Sequence, residues 1–396
     1  MRRTLSFQPV MRWLAAIVLV AVPALTIWNL VTIQTIGRPA ISFGPPLIGV
    51  TRALQLDWSW KAVEEGRLQK AISERVIEAI PFRNFLIRLN NELRFRFFGQ
   101  TFLKEVIVGS NGQLGQSLYL AEYCQRTAGL AKQRADAIVP DLLQIQDYYR
   151  ARGAVFIYLI TPSKIAHLPE YFVSLWPCPS TEAARAGFIP EYVSRLRASG
   201  IIVLDAASLV HELRTTLKSD LFPQGALHWD SLGAGKTTLA IIDEVNRQAQ
   251  RELLPKLSLA YTSSRVIEGS DRDLAEFLNV LSPPVAYSTH KIKLERGVPC
   301  AGTPASTLNA VIVGSSFSHL PAELLIGHDC LKNLKVLFYL KLETYGGEPY
   351  RVLKRTPADG DLDALREVQV MIVEENESFV GRSRYIEELR KIVERR

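Results

Sequence analysis

The sequence predicts an α/β fold in which a largely parallel sheet carries helices on both faces, preceded by an N-terminal transmembrane helix. Three observations predict it. From Trp13 to Ile33 there is no charged residue, a run long enough to cross about 30 Å of hydrocarbon at 1.5 Å per residue. Farther on, short apolar and β-branched runs alternate with helical stretches, the pattern of strands buried on both faces. A hydrophobic fraction of 47% with 22% charged residues over 396 positions excludes a disordered or collagen-like chain. The 47 Lys+Arg against 40 Asp+Glu leave a net charge of +7, a mild excess that suits an anionic partner without implying nucleic acid.

Arg2, Arg3 and Arg12 precede the apolar run, and no comparable basic cluster follows closely, so the N-terminus is expected in the cytoplasm and the remainder outside it. A cleaved signal peptide is the competing reading. Its apolar core would span about 7–15 residues before a small-x-small site, and the longer run here, with Trp28 and Asn29 near its end, fits an uncleaved anchor better. The expected location is therefore the inner membrane, single-pass, with the C-terminal domain in the periplasm. Export makes disulfides plausible for the even set Cys124, Cys178, Cys300 and Cys330, with Cys124–Cys178 and Cys300–Cys330 the preferred pairing and buried free thiols the alternative. None has the CxxC spacing of a zinc or redox site, and no metal or cofactor is expected.

Residues 1–36 are thus read as cytoplasmic tail and anchor, and 37–105 as a linker followed by a helical collar. Gly37, Pro39, Gly44, Pro45, Pro46 and Gly49 supply the breakers of a stalk, and apolar residues at helical spacing from Leu54 to Phe98 are interrupted at Pro81. Residues 106–396 form the α/β domain. Its expected strands are VIV at 106–108, AVFIYLI at 154–160, IIVL at 201–204, AVIV at 310–313, VLFYL at 336–340 and VQVMIV at 368–373, with an insertion at about 255–300. A site is expected at the carboxyl ends of these strands.

Gly233-Ala234-Gly235-Lys236-Thr237 echoes the end of a phosphate-binding loop, but the glycine required five positions earlier is Asp230 and no apolar strand leads in. The segment is better read as a helix capped by Asp230 or Ser231. Val311-Ile312-Val313-Gly314-Ser315-Ser316 differs: an apolar strand runs into Gly-Ser-Ser and a helix start, which exposes a hydroxyl beside backbone N–H groups. Taken alone, the two serines could simply cap that helix. A serine nucleophile needs a base, and His228, in a loop between Phe222-Pro223-Gln224-Gly225 and a helix, is the histidine placed to be one. His167, His211, His290, His319 and His328 lack such a setting.

The strand-end Gly314-Ser315-Ser316-Phe317, the pair His228-Trp229 about ninety residues earlier, Thr161-Pro162-Ser163-Lys164 after a strand and Val106–Gly112 opening the domain together resemble the SGNH-hydrolase-like domain of the alginate O-acetyltransferase family, AlgX and AlgJ. The likeness covers roughly residues 55–396 and includes a feature like the family's Gly-Asp-Leu insertion at Asp271–Leu274 and a closing acidic strand, Val373-Glu374-Glu375-Asn376-Glu377. It implies Ser316 as acyl-enzyme nucleophile and His228 as general base. The family usually carries an aspartate two positions before the histidine; here that residue is Ala226, and the aromatic pair usual in the opening block is replaced by Gln113-Leu114-Gly115. Asp205, ending a strand, is the best substitute acid, Asp220 lies in the loop, and Asp230 is a cap. Lys164, Trp229 and Ser315 are the candidate substrate contacts, with Lys164 placed to meet an acidic sugar.

The implied function is acetylation of exopolysaccharide hydroxyls, with an acetyl group delivered by a membrane-embedded acyltransferase. Two other classes stay open: a periplasmic carbohydrate esterase using the same residues with water as acceptor, and a non-catalytic polysaccharide-binding or assembly subunit, which Ala226 favours.

Overall fold

The computed structural model describes residues 8–49, 56–297, 303–328, 331, 333–338, 341–344 and 364–394. The chain divides into two compact units, one of residues 1–103 with 275–283, the other of residues 104–274 with 284–396.

In the first unit, α1 (Gln8–Ile36) is the apolar helix, and its segment Met11–Ile36 is long and apolar enough to cross a membrane. Asn29 near its end is fully buried: its amide donates to the carbonyls of Ile41 and Ala79 and accepts from the Ile41 N–H. Three helices follow, α2 (Trp60–Glu64), α3 (Arg67–Ala79) and α4 (Arg83–Phe98), with Pro81 breaking the chain between the last two. Arg88 on α4 donates to the carbonyls of Pro46 and Val280, and Asn91 to that of Leu278, which ties residues 278–280 to this unit.

The second unit begins with β1 (Val106–Val108) and β2 (Leu114–Gln116), an antiparallel pair separate from the main sheet. The expectation that 106–108 opens the parallel sheet is therefore corrected. Asn111 and Gly112, at φ of 55° and 71°, turn the chain straight back, so a hairpin forms before any crossover can. The helices α5 (Ser117–Cys124) and α6 (Ala128–Arg150) lead to β3 (Val155–Thr161), buried along its whole length. After it come α7 (Lys164–His167), α8 (Glu182–Ala186), α9 (Phe188–Ala198), β4 (Val203–Asp205), α10 (Ala206–Leu217) and α11 (Ser231–Ala249). The inserted region is an antiparallel pair, β5 (Leu257–Ser264) and β6 (Thr289–Arg296), with α12 (Asp273–Phe277) between its strands. The unit closes with β7 (Asn309–Gly314), α13 (His319–His328), β8 (Asn333–Phe338), β9 (Lys341–Thr344), β10 (Val370–Asn376) and α14 (Arg384–Glu394).

The sheet order is β4-β3-β10-β7-β8-β9. Five strands are parallel; β9, which sequence reasoning did not anticipate, runs antiparallel to β8 at the edge. On β3, alternate residues Phe156, Tyr158 and Ile160 join Ile138, Leu142 and Tyr149 of α6 and Leu389 of α14 in one core, with Met371 and Val373 of β10 beside them. Helix α11 packs on the sheet with α10 and α13. The sheet is thus covered on both faces, which is why its strands read as continuous apolar runs.

Cys124 and Cys178 form a disulfide across a separation of 54 residues. Cys300 and Cys330 lie outside the described residues.

Candidate active site

Strand β7 is buried from Ala310 to its end and delivers the chain into Gly314-Ser315-Ser316 at the carboxyl edge of the sheet. Gly314 is required by space: a Cβ there would stand 2.5 Å from a carboxylate oxygen of Glu374 on the adjacent β10. That carboxylate braces the turn, accepting the Ser315 N–H at 2.6 Å, the Ser315 hydroxyl at 3.1 Å and the Thr161 hydroxyl at 2.5 Å. Burial pushes the Glu374 carboxyl up to about 7, against the opposing pull of these donors. Ser315 also accepts from the Phe317 N–H, so its hydroxyl caps the turn, while the residue also lines a neighbouring cavity.

The Ser316 hydroxyl projects the other way and lies 2.7 Å from His228 Nε2. His228 Nδ1 lies 2.5 Å from Asp273 Oδ2, and the second oxygen of Asp273 accepts the backbone N–H groups of Leu227 at 2.7 Å and Leu274 at 2.6 Å. With Asp273 ionised, Nδ1 carries the imidazole proton and Nε2 turns its lone pair to the serine, the tautomer that a base requires. Asp205 was the expected acid, and this is corrected. Its carboxylate caps α10, accepting from the Ser208 N–H at 2.9 Å and the Ser208 hydroxyl at 2.7 Å. Asp273 lies inside the Asp271–Leu274 feature on which the resemblance partly rested, but nothing in the spacing tied it to a histidine 45 residues away.

The loop that carries His228 is built around Lys164. This side chain is fully buried, and its ammonium donates to the carbonyls of Pro223 at 2.7 Å, Gln224 at 2.9 Å and Ala226 at 2.8 Å. Burial pulls its pKa down to about 7, against the opposing charges of Asp273 and Asp220, and the three carbonyls take all of its protons. The expectation of a sugar contact is corrected, because no donor of Lys164 is left for solvent or ligand. Ala226, where the family has its aspartate, is itself fully buried in this cluster. A second polar chain holds the loop from below: the Leu221 N–H donates to His167 Nε2, His167 Nδ1 meets His211 Nδ1 at 2.9 Å, and His211 Nε2 meets Glu377 at 3.1 Å. Beyond the loop, Asp230 caps α11 through the N–H groups of Leu232 and Gly233 and pairs with His290. The Gly-Ala-Gly-Lys-Thr segment is the first turns of that helix.

Trp229 is buried to 1% exposure, with its ring 6.3 Å from that of Phe317. It lines a cavity beside Ser316 and His228, next to the position expected for a substrate contact. This cavity, of about 330 Å³, is lined by Ser316 and His228 together with Trp229, Ser231, His319, Leu320 and Glu323, and by Glu268 to Asp271 with Lys291. Burial raises the Asp271 carboxyl to about 6, partly offset by Thr289 and Lys291, and burial also raises that of Glu323. Among the described residues no group of three His, Cys, Asp or Glu side chains is placed to hold a metal ion.

The model of a family described as SGNH hydrolase-like domain, acetyltransferase AlgX, matches residues 114–324, more than half of the chain. Among solved structures the chain is similar to the O-acetyltransferase domain of Pseudomonas putida AlgJ, at 16% identity over 72% of this chain and 98% of that one, with a TM-score of 0.45. It is also similar to Pseudomonas aeruginosa AlgX, at 15% identity over 74% and 67% with a TM-score of 0.44. A third is Bacillus cereus PatB1 with a sulfonyl adduct, at 10% identity over 71% and 96% with a TM-score of 0.43. No curated protein matches the chain.

Proposed function

The chain belongs to the SGNH hydrolase-like AlgX acetyltransferase family, and from that premise we propose that it is an exported, membrane-anchored O-acetyltransferase acting on hydroxyls of an exopolysaccharide. The observation that carries the proposal is the continuous chain Asp273–His228–Ser316 at the carboxyl edge of the sheet. Helix α1 anchors the chain in the inner membrane, the α/β domain works in the periplasm, and a membrane-embedded acyltransferase supplies the acetyl group.

In the first half-reaction Ser316 Oγ attacks the acetyl carbonyl while His228 Nε2 takes the hydroxyl proton. The proton passes to the departing group as its bond to the acetyl carbon breaks. In the second, a sugar hydroxyl gives its proton to Nε2 and its oxygen attacks the acetyl-serine. The Ser316–acetyl bond breaks and the proton returns to Ser316. We assign the Ser316 backbone N–H, in the turn before α13, to the developing oxyanion. Asp273 keeps the imidazole oriented and stabilises its charged form in both halves. It also supplies the acid whose absence at Ala226 favoured a non-catalytic subunit.

The test is covalent. Incubation with a small activated acetyl ester is expected to add one acetyl group to the peptide carrying Ser316, with Ser316→Ala abolishing the label and His228→Ala reducing it strongly. Transfer to an oligosaccharide, rather than release as acetate, separates the transferase from an esterase. Wild-type protein that takes no label at Ser316 defeats the proposal.

A further inference from the structure

The cavity over Ser316 is walled by acids. Helix α13 turns His319, Leu320 and Glu323 toward it, one face at spacings of one and four residues. Glu268 and Asp271 line the same cavity, and Lys291 is shared between them, at 3.8 Å from the first and 3.7 Å from the second. Three carboxyl groups therefore face one ammonium, and among the described residues Glu323 has no cation at ion-pair distance. The other cations nearby are committed elsewhere. Lys164 is consumed by backbone carbonyls. Arg382 and Arg384 line a separate cavity of about 490 Å³, together with Ser315 and Tyr119 but without the nucleophile. The ring of Phe317 lies 4.7 Å from that of His228, which lines the first cavity, and 6.5 Å from that of Tyr119, which lines the second.

Resting on the acyl-transfer reading above, we propose that the sugar residue presenting its hydroxyl to Ser316 bears no carboxylate: the acceptor residue is uncharged or carries an amino group, and Glu323 sets that preference. Neutral pyranose hydroxyls donate well to carboxylates, whereas a uronate brought into the same space meets like charge with one shared lysine to offset it. Discrimination of this kind is built by repulsion of the wrong ligand as much as by attraction of the right one. Any anionic substituent on the polymer belongs on a neighbouring residue, on the arginine side of Phe317.

The test compares acceptors. Full-length protein in detergent, acetylated by a small activated ester, is offered gluco-oligosaccharides, partly deacetylated chito-oligosaccharides and oligo-uronates of equal length. Acetyl transfer is expected at least tenfold more efficient to the first two than to the uronates, with the ratio shrinking as salt is raised. In Glu323→Gln the ratio is expected to fall severalfold, and in Glu323→Lys to approach one or reverse. Equilibrium binding of the same oligosaccharides is expected to follow the same order and reads the preference without chemistry. Missing acetyl label at Ser316 with the binding preference intact counts against acyl transfer and not against the charge preference. Wild-type protein that transfers to or binds uronates as well as neutral glycans, or a ratio unmoved in both Glu323 variants, overturns the inference.

Discussion

Replacing Asp273 by Asn is the sharpest test of the site. The asparagine is isosteric, and its carbonyl oxygen can still accept the Leu227 and Leu274 N–H groups that hold the aspartate, at 2.7 and 2.6 Å. The amide nitrogen is then left facing His228 Nδ1 at the 2.5 Å contact now made by Oδ2. As a donor it forces the imidazole proton onto Nε2, so Ser316, 2.7 Å away, meets an N–H where it needs a lone pair. A wrong tautomer of this kind costs about 10⁴ in kcat, equivalent to about 5.5 kcal/mol of transition-state stabilisation. Because both backbone contacts survive, the melting temperature is expected to change little. The assay is the burst of acyl-enzyme formation from a small activated acetyl ester, followed by mass spectrometry and by release of the leaving group. Asp205→Asn is the control: asparagine caps a helix about as well as aspartate, so its rate is expected within about threefold of wild type. A folded Asp273→Asn protein retaining more than a tenth of the wild-type rate, or an equal loss in Asp205→Asn, would refute the reasoning.

Lys164→Met keeps the buried stem but strands three carbonyls, so a loss of about 3 kcal/mol in denaturant titration and slower acylation through a loosened His228 loop are expected; an unchanged midpoint would contradict this. Ala226→Asp, which restores the family's usual residue, is expected to destabilise and not to activate, because the position is fully buried and Asp273 already occupies Nδ1; an increase in rate would count against it. Burial alone would raise the Glu377 carboxyl, but Arg126 and His211 outweigh it and hold it at about 2, below its ordinary 4.5. Its contribution is therefore present above pH 4.5 and lost as pH falls toward 2. On the order of 3 kcal/mol of stability should drain over that window, and Glu377→Gln should flatten the stability curve there. Opening the Cys124–Cys178 link, which closes a separation of 54 residues, is expected to cost about 4 kcal/mol, read as a lowered melting temperature in Cys178→Ser under conditions where the wild type keeps its bridge.

The sequence by itself determined the features that depend on neighbours along the chain. A strand buried on both faces reads as an apolar run, so β3, β7 and the first four residues of β10 are legible in the sequence. A serine at the end of such a strand and a histidine in a loop before a capped helix are local patterns, and Ser316, His228 and the Asp230 cap were read from them. The apolar stretch within α1 is equally local. Only the tertiary structure decided which groups meet through space. The acid at His228 belongs to an insertion between two strands of another small sheet, whereas local reading ranks Asp205, Asp220 and Asp230 and passes over Asp273. The fate of Lys164 was undecidable in the same way: a lysine after a strand is ordinarily solvated, and it is buried here because three carbonyls of one loop converge on it. Strand pairing was also beyond local reading, since Val106–Val108 has the composition of a sheet strand but turns back at Asn111-Gly112 into a hairpin of its own. Composition fixes what a segment can bury, whereas contacts between distant segments depend on how the whole chain closes around its core.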